Sequence, residues 1–79
     1  MENDAQGLLA FQKDVEWVGH NLKHLQEGYQ GEFIAVRNGR IVDHDRNIET
    51  LVQRLRGGGE EPADMVIEFV FGKDVRLFL

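Results

Sequence analysis

Tyr29-Gln-Gly-Glu-Phe-Ile-Ala-Val-Arg-Asn-Gly-Arg-Ile-Val-Asp-His-Asp45, followed at once by Arg46-Asn-Ile-Glu-Thr-Leu-Val-Gln-Arg-Leu55, carries the architecture of this chain. Two short apolar runs flank Asn38-Gly39. Both central positions of a two-residue hairpin turn need positive φ, which Asn and Gly tolerate. The spacing predicts a hairpin over residues 32–44. In that register Val36 faces Ile41 and Ala35 faces Val42. Ile34, Val36 and Ile41 then share one face, and Phe33, Ala35 and Val42 the other. Apolar groups on both faces call for cover on both, from helices on one side and from a partner on the other. A three-residue loop with Gly39 in a bulge is the competing register.

A helix follows over residues 48–56, capped by Asp45 or Asn47. Ile48, Leu51, Val52 and Leu55 fall at i, i+3, i+4 and i+7, a stripe of two turns. Gly57 stops it, and Gly57–Asp64 reads as a short mobile loop. Residues 65–71, Met-Val-Ile-Glu-Phe-Val-Phe, are apolar on both faces, as in a central strand. Gly72-Lys73 suits a second turn, returning residues 75–79 as a further strand. Upstream, Leu8, Phe11, Val15, Val18, Leu22, Leu25 and Tyr29 alternate by three and four residues, which predicts one long helix over residues 5–28. The stripe is expected to pack on the chain's own sheet. Its a/d spacing also suits pairing between two chains. Gly19, inside the helix, is expected to mark a bend.

The expected fold is therefore α+β, one domain over residues 1–79, in the order α-β-β-α-β(-β). A three- to four-stranded mixed or antiparallel sheet carries the helices packed against it. A β-grasp-like arrangement with an extra N-terminal helix is the alternative. A chain this short buries only about 60% of the surface that its unfolded form exposes, so apolar burial must hold it together. There is no cysteine to supply disulfides or thiolate metal sites, which points to a reducing cytoplasm. No apolar run reaches the roughly 18 residues of a membrane span, and the acidic start is not that of a signal peptide.

The net charge of −5 argues against holding nucleic acid by phosphate neutralisation. The middle of the chain is locally basic, with Arg37, Arg40, Arg46, Arg54 and Arg56 against Asp43, Asp45 and Glu49. That cluster keeps an antitoxin-like or nucleic-acid-linked regulator as one alternative. A metal-binding protein is the other: His20 and His24 are four apart, and His44 is the candidate third ligand. Asn21 stands where the zinc-protease pattern needs a glutamate. The carboxylate pairs Asp43/Asp45 and Glu60/Glu61 read as solvated or capping groups, and Gly57-Gly58-Gly59 lacks the surroundings of a phosphate loop. Serine is absent along with cysteine, so the usual nucleophiles are missing but for Thr50.

The run Trp17…Leu25…Tyr29-x-Gly31-x-Phe33-x-Ala35-Val36…Gly39…Val42, with Ile67–Val70 after it, resembles a family of small prokaryotic proteins of unknown function, common in archaea and some bacteria. The likeness covers roughly residues 15–71. Its members look like stand-alone domains, sometimes encoded beside small aspartic-protease-like proteins, which implies a binding or regulatory partner. It carries over no catalytic residue, and the His20/His24 pair and the 75–79 tail are not part of it. The expectation is a non-enzymatic, protein-binding or self-associating cytoplasmic module without cofactor. Its contact residues would be Trp17, Arg37, Arg40, Val75, Leu77, Phe78 and Leu79, and its partner a second copy or another protein.

Overall fold

The computed structural model describes residues 4–72, with side chains from residue 8 onward. Its elements are helix α1 (Asp4–His20), helix α2 (Leu22–Gly28), strand β1 (Phe33–Arg37), strand β2 (Arg40–Asp45), helix α3 (Ile48–Gly57), a 3-10 turn (Pro62–Asp64) and strand β3 (Val66–Phe69). The sheet has the order β2-β1-β3 and both pairings are antiparallel. The fold is α+β, with helices against a three-stranded sheet. The expected strand over 75–79 lies outside the described residues.

Asn38 (φ 54°) and Gly39 (φ 71°) make the tight turn that their sequence predicts. Val36 stands opposite Ile41, as read. One step on, the register shifts: Ala35 faces Asp43 instead of Val42. Val42 is thus the extra residue of a β-bulge, and it is exposed. The bulge lies a step beyond the turn, where nothing in the dipeptide signals it.

The central strand is β1, not the strand after α3. Ile34, Ala35 and Val36 are all fully buried because each face of β1 meets a helix layer. On one face Leu25, Ile34, Val36, Val66 and Val70 cluster with Trp17, Val18, Tyr29 and Ile41, beneath α1 and α2. On the other, Ala35, Leu51, Leu55 and Met65 cluster with Phe33 and Ile67, beneath α3. The second face of the hairpin is therefore covered by the chain itself and does not wait for a partner. β3 pairs with β1 alone among the described strands and leaves Glu68 and Phe69 exposed.

Helix α3 starts where Asn47 Oδ1 accepts a hydrogen bond from the Thr50 N–H (2.9 Å), while Asp45 Oδ2 accepts from the Asn47 N–H (2.7 Å). Glu49 in its first turn and Arg54 and Arg56 in its last suit the helix dipole. The loop after it is a built turn. Glu60 N–H donates to the Leu55 carbonyl (2.8 Å), Glu61 caps the 3-10 turn and Pro62 is buried.

The N-terminal helix departs furthest from expectation. It is interrupted at Asn21, two residues after Gly19. The Asn21 side-chain amide donates to the Trp17 carbonyl (2.8 Å), and its N–H is shared between the carbonyls of Trp17 (3.0 Å) and Val18 (3.3 Å). Asn readily offers the backbone such local alternatives to a regular helix. Of the seven stripe residues, Val18, Leu25 and Tyr29 join the first core cluster. Leu8, Phe11, Val15 and Leu22 are exposed. The break at Asn21 divides the stripe between two helices, so its seven residues do not lie along one face. The row that meets the sheet and its hairpin instead includes Asp14, Trp17, Val18 and Leu25.

Candidate functional site

Helix α1 is joined to the hairpin tip by one carboxylate. Asp14 is 7% exposed, and its oxygens accept hydrogen bonds from the backbone N–H groups of Gly39 (2.9 Å) and Asn38 (3.1 Å). One helical turn on, Trp17 lies half-buried over the same turn. A Cβ at Gly39 would stand 3.7 Å from Trp17 Cδ1. Packing against the core and the turn accounts for this placement. A groove of about 540 Å³ runs beside it, lined in part by Leu9, Lys13, Trp17 and Asn38. A second, of about 370 Å³, is lined by Arg37, Arg40, Ile41, Val42 and Glu60 among others.

The structure thus gathers Trp17, Arg37 and Arg40 around one turn. Val75, Leu77, Phe78 and Leu79 lie outside the described residues. Asp14 is the residue that sequence reading missed. Its signal was an acid three and four positions before Trp17 and Val18, on the side of α1 that meets the hairpin.

The five arginines do not form one row. Arg37 is paired with Glu60 (2.5 Å). Arg54 reaches Asp43 (3.1 Å), Asp45 (3.2 Å) and the His44 carbonyl (2.7 Å), tying α3 to β2. Arg40, Arg46 and Arg56 are exposed and make no ion pair among the described residues. Burial works to raise the Asp43 pKa. The hydrogen bonds from Arg54 and from the His44 N–H, with the nearby positive charge, outweigh it and hold this carboxyl below the usual value. A catalytic acid needs the reverse, a raised pKa.

Because the Asp43 pKa is lower in the folded chain than in the unfolded one, its contribution is complete above the unfolded value, about 3.9. It is lost as the pH falls through the folded value. The expected outcome is a urea midpoint that drops on acidification below about pH 4, and drops less in Arg54→Ala. Equal losses in both proteins would mean that this pair does not set the acid limb.

The histidines do not converge. His20 ends α1 and His24 lies in α2, on opposite sides of the interruption instead of on one unbroken helix. His24 Nδ1 is 3.8 Å from Glu27. His44 Nδ1 is 2.6 Å from Glu32 Oε1, and its ring meets Tyr29 edge-on at 4.8 Å. Among the described residues no three His, Asp or Glu side chains gather to hold a metal ion.

Among the described residues, what remains unpartnered is the outer side of α1 together with Leu22, which opens α2 beyond the break at Asn21. Leu8 is 68% exposed, Leu9 56%, Phe11 42%, Val15 43% and Leu22 45%. Gly19 lies on the same side, four residues after Val15. A Cβ there would meet nothing within 4 Å. Its helical backbone gives no reason for glycine, which costs about 1 kcal/mol relative to alanine. A smaller group is the edge-to-face ladder Phe33–Phe69–Phe71, with centroids 4.9 and 5.1 Å apart, of which Phe69 and Phe71 are exposed. No helix of the described residues is long and apolar enough to cross a membrane.

The model of a family of unknown function, DUF5678, matches residues 24–73, more than half of the chain. The chain belongs to the DUF5678 family. The DUF5678 match takes in the hairpin, α3 and β3 and opens inside α2. Helix α1, with Asp14, Trp17 and the exposed apolar row, precedes it, so the motif that begins at Trp17 extends beyond the matched segment. No curated protein and no solved structure matches the chain.

Proposed function

We propose that this DUF5678 chain is a non-enzymatic protein-binding module that self-associates through the outer side of α1. One observation carries the reading. Leu8, Phe11 and Val15 of α1 follow the repeat of a helix-pairing seam and are exposed together, with Leu22 exposed at the start of α2. Contiguous apolar surface of this kind on a soluble domain marks an interaction site. The chemistry of the chain agrees. Serine and cysteine are absent, and Asp43, Asp45 and Glu60 are held by arginines.

Sedimentation velocity tests the reading. The chain is expected to move from monomer to dimer between micromolar and millimolar concentration. Leu8→Asp and Phe11→Asp should each restore the monomer. Both side chains are exposed, so their urea midpoints should stay within about 0.5 kcal/mol of the parent in stability. A monomer throughout that range sinks the proposal.

A further inference from the structure

We infer that the cleft between Arg37 and Arg40, at the root of the hairpin turn, receives a carboxylate side chain from an acidic segment of a protein partner. The two arginines stand directly opposite one another across β1 and β2. Residues so placed share one face of the sheet, and like charges there repel and destabilise the pair. The chain answers only one of them. Arg37 Nη1 donates to Glu60 Oε1 (2.5 Å), while Arg40 is exposed and makes no ion pair among the described residues. One positive charge of the pair is left over, in a cleft of about 370 Å³ that both arginines line.

Glu60 displays the chemistry that this cleft accepts. The turn after α3 brings it there, with its N–H fastened to the Leu55 carbonyl (2.8 Å). Its contact with Arg37 uses one donor of a guanidinium that has five. The rest of that fork and the whole of Arg40 can take a second carboxylate in the bidentate manner that arginine favours. Beside them, exposed Val42 adds an apolar side chain to the cleft wall. It is the extra residue of the bulge, a device that re-aims side chains. The segment that fits is therefore a Glu or Asp with an aliphatic neighbour. Phosphate fits less well, because a dianion meets the Glu60 carboxylate with twice the charge. Nucleic acid needs a track of cations, and Arg54 is already engaged by Asp43 and Asp45. The cleft lies on the α3 side of the sheet. Arg37 follows Phe33 and Ala35 in the alternation of β1, and those two pack beneath α3. The site is thus separate from the outer side of α1 and does not depend on self-association.

The test titrates the blocked peptide acetyl-Leu-Glu-Leu-amide into the isotope-labelled chain at low salt, followed by amide NMR, with acetyl-Leu-Gln-Leu-amide as control. Saturable shifts are expected at Arg37, Arg40 and Val42 with the first peptide and none with the second. Arg40→Gln should weaken binding by about tenfold. Arg40→Lys, which keeps the charge and loses the fork, should fall between. Glu60→Gln, which frees Arg37, should tighten binding by about threefold or more. Leu8→Asp should bind the peptide as the parent does, so loss of self-association and loss of this site are read separately. No saturable shift, equal shifts with the glutamine peptide, or unchanged binding by Arg40→Gln overturns the site. Unchanged or weaker binding by Glu60→Gln overturns the claim that Glu60 occupies part of it. Inorganic phosphate or a short RNA binding more tightly than the peptide overturns the acidic protein segment as its ligand.

Discussion

Leu51→Ala is expected to lower the free energy of unfolding by about 2–5 kcal/mol, the usual loss for a buried leucine cut to alanine. Leu51 is fully buried, and with Leu55 it is what α3 puts onto the second face of the sheet. The gap would open between that helix, Ala35 and Met65, where Ala35 has only a methyl group and cannot lean into it. A chain of this length has about 4–12 kcal/mol of stability in all. The variant should therefore melt at least about 10 °C lower. Urea unfolding followed by circular dichroism measures the loss, with Ile48→Ala as the control. Ile48 belongs to the same sequence stripe but is 42% exposed, so it should move the midpoint little. Equal effects at the two positions would mean that α3 is not seated as described.

Asp14→Ala is expected to cost about 2–3 kcal/mol, because it removes a charged acceptor from two backbone donors and leaves them to water. The loss should be local before it is global. Amide exchange at Asn38 and Gly39 should accelerate more than exchange in α3, because the carboxylate grips the turn and not the far layer. Asp14→Asn, which keeps one acceptor oxygen, should fall between parent and alanine. If Asp14→Ala leaves both the midpoint and the exchange of these two amides unchanged, the carboxylate does not fasten α1 to the tip.

These two residues show how far the sequence could be read. Leu51 was legible, because its stripe, the Asn47 cap and the terminating glycines are local signals with known periods. The hairpin was legible for the same reason, since Asn38-Gly39 admits few turns. What failed was non-local. The Val42 bulge depends on how β2 meets α3, where Arg54 gathers Asp43 and Asp45. The order of strands depends on which one two helix layers enclose, and apolar composition did not separate β1 from the strand after α3. The N-terminal stripe was read as one core face, and only Val18, Leu25 and Tyr29 of it join the core, because a 3.5-residue period says that something is met without saying what. In the candidate site, Trp17, Arg37 and Arg40 were named and do lie around one turn. Asp14, which organises that turn, looked like any helix acid.

The grip of Asp14 on the Asn38-Gly39 turn also bears on how this chain could be engineered. The tip of a β-hairpin is ordinarily a spot where inserted residues do no harm. Here it is a joint, so an epitope tag or sensor peptide spliced between Asn38 and Gly39 would unfasten α1 from the sheet.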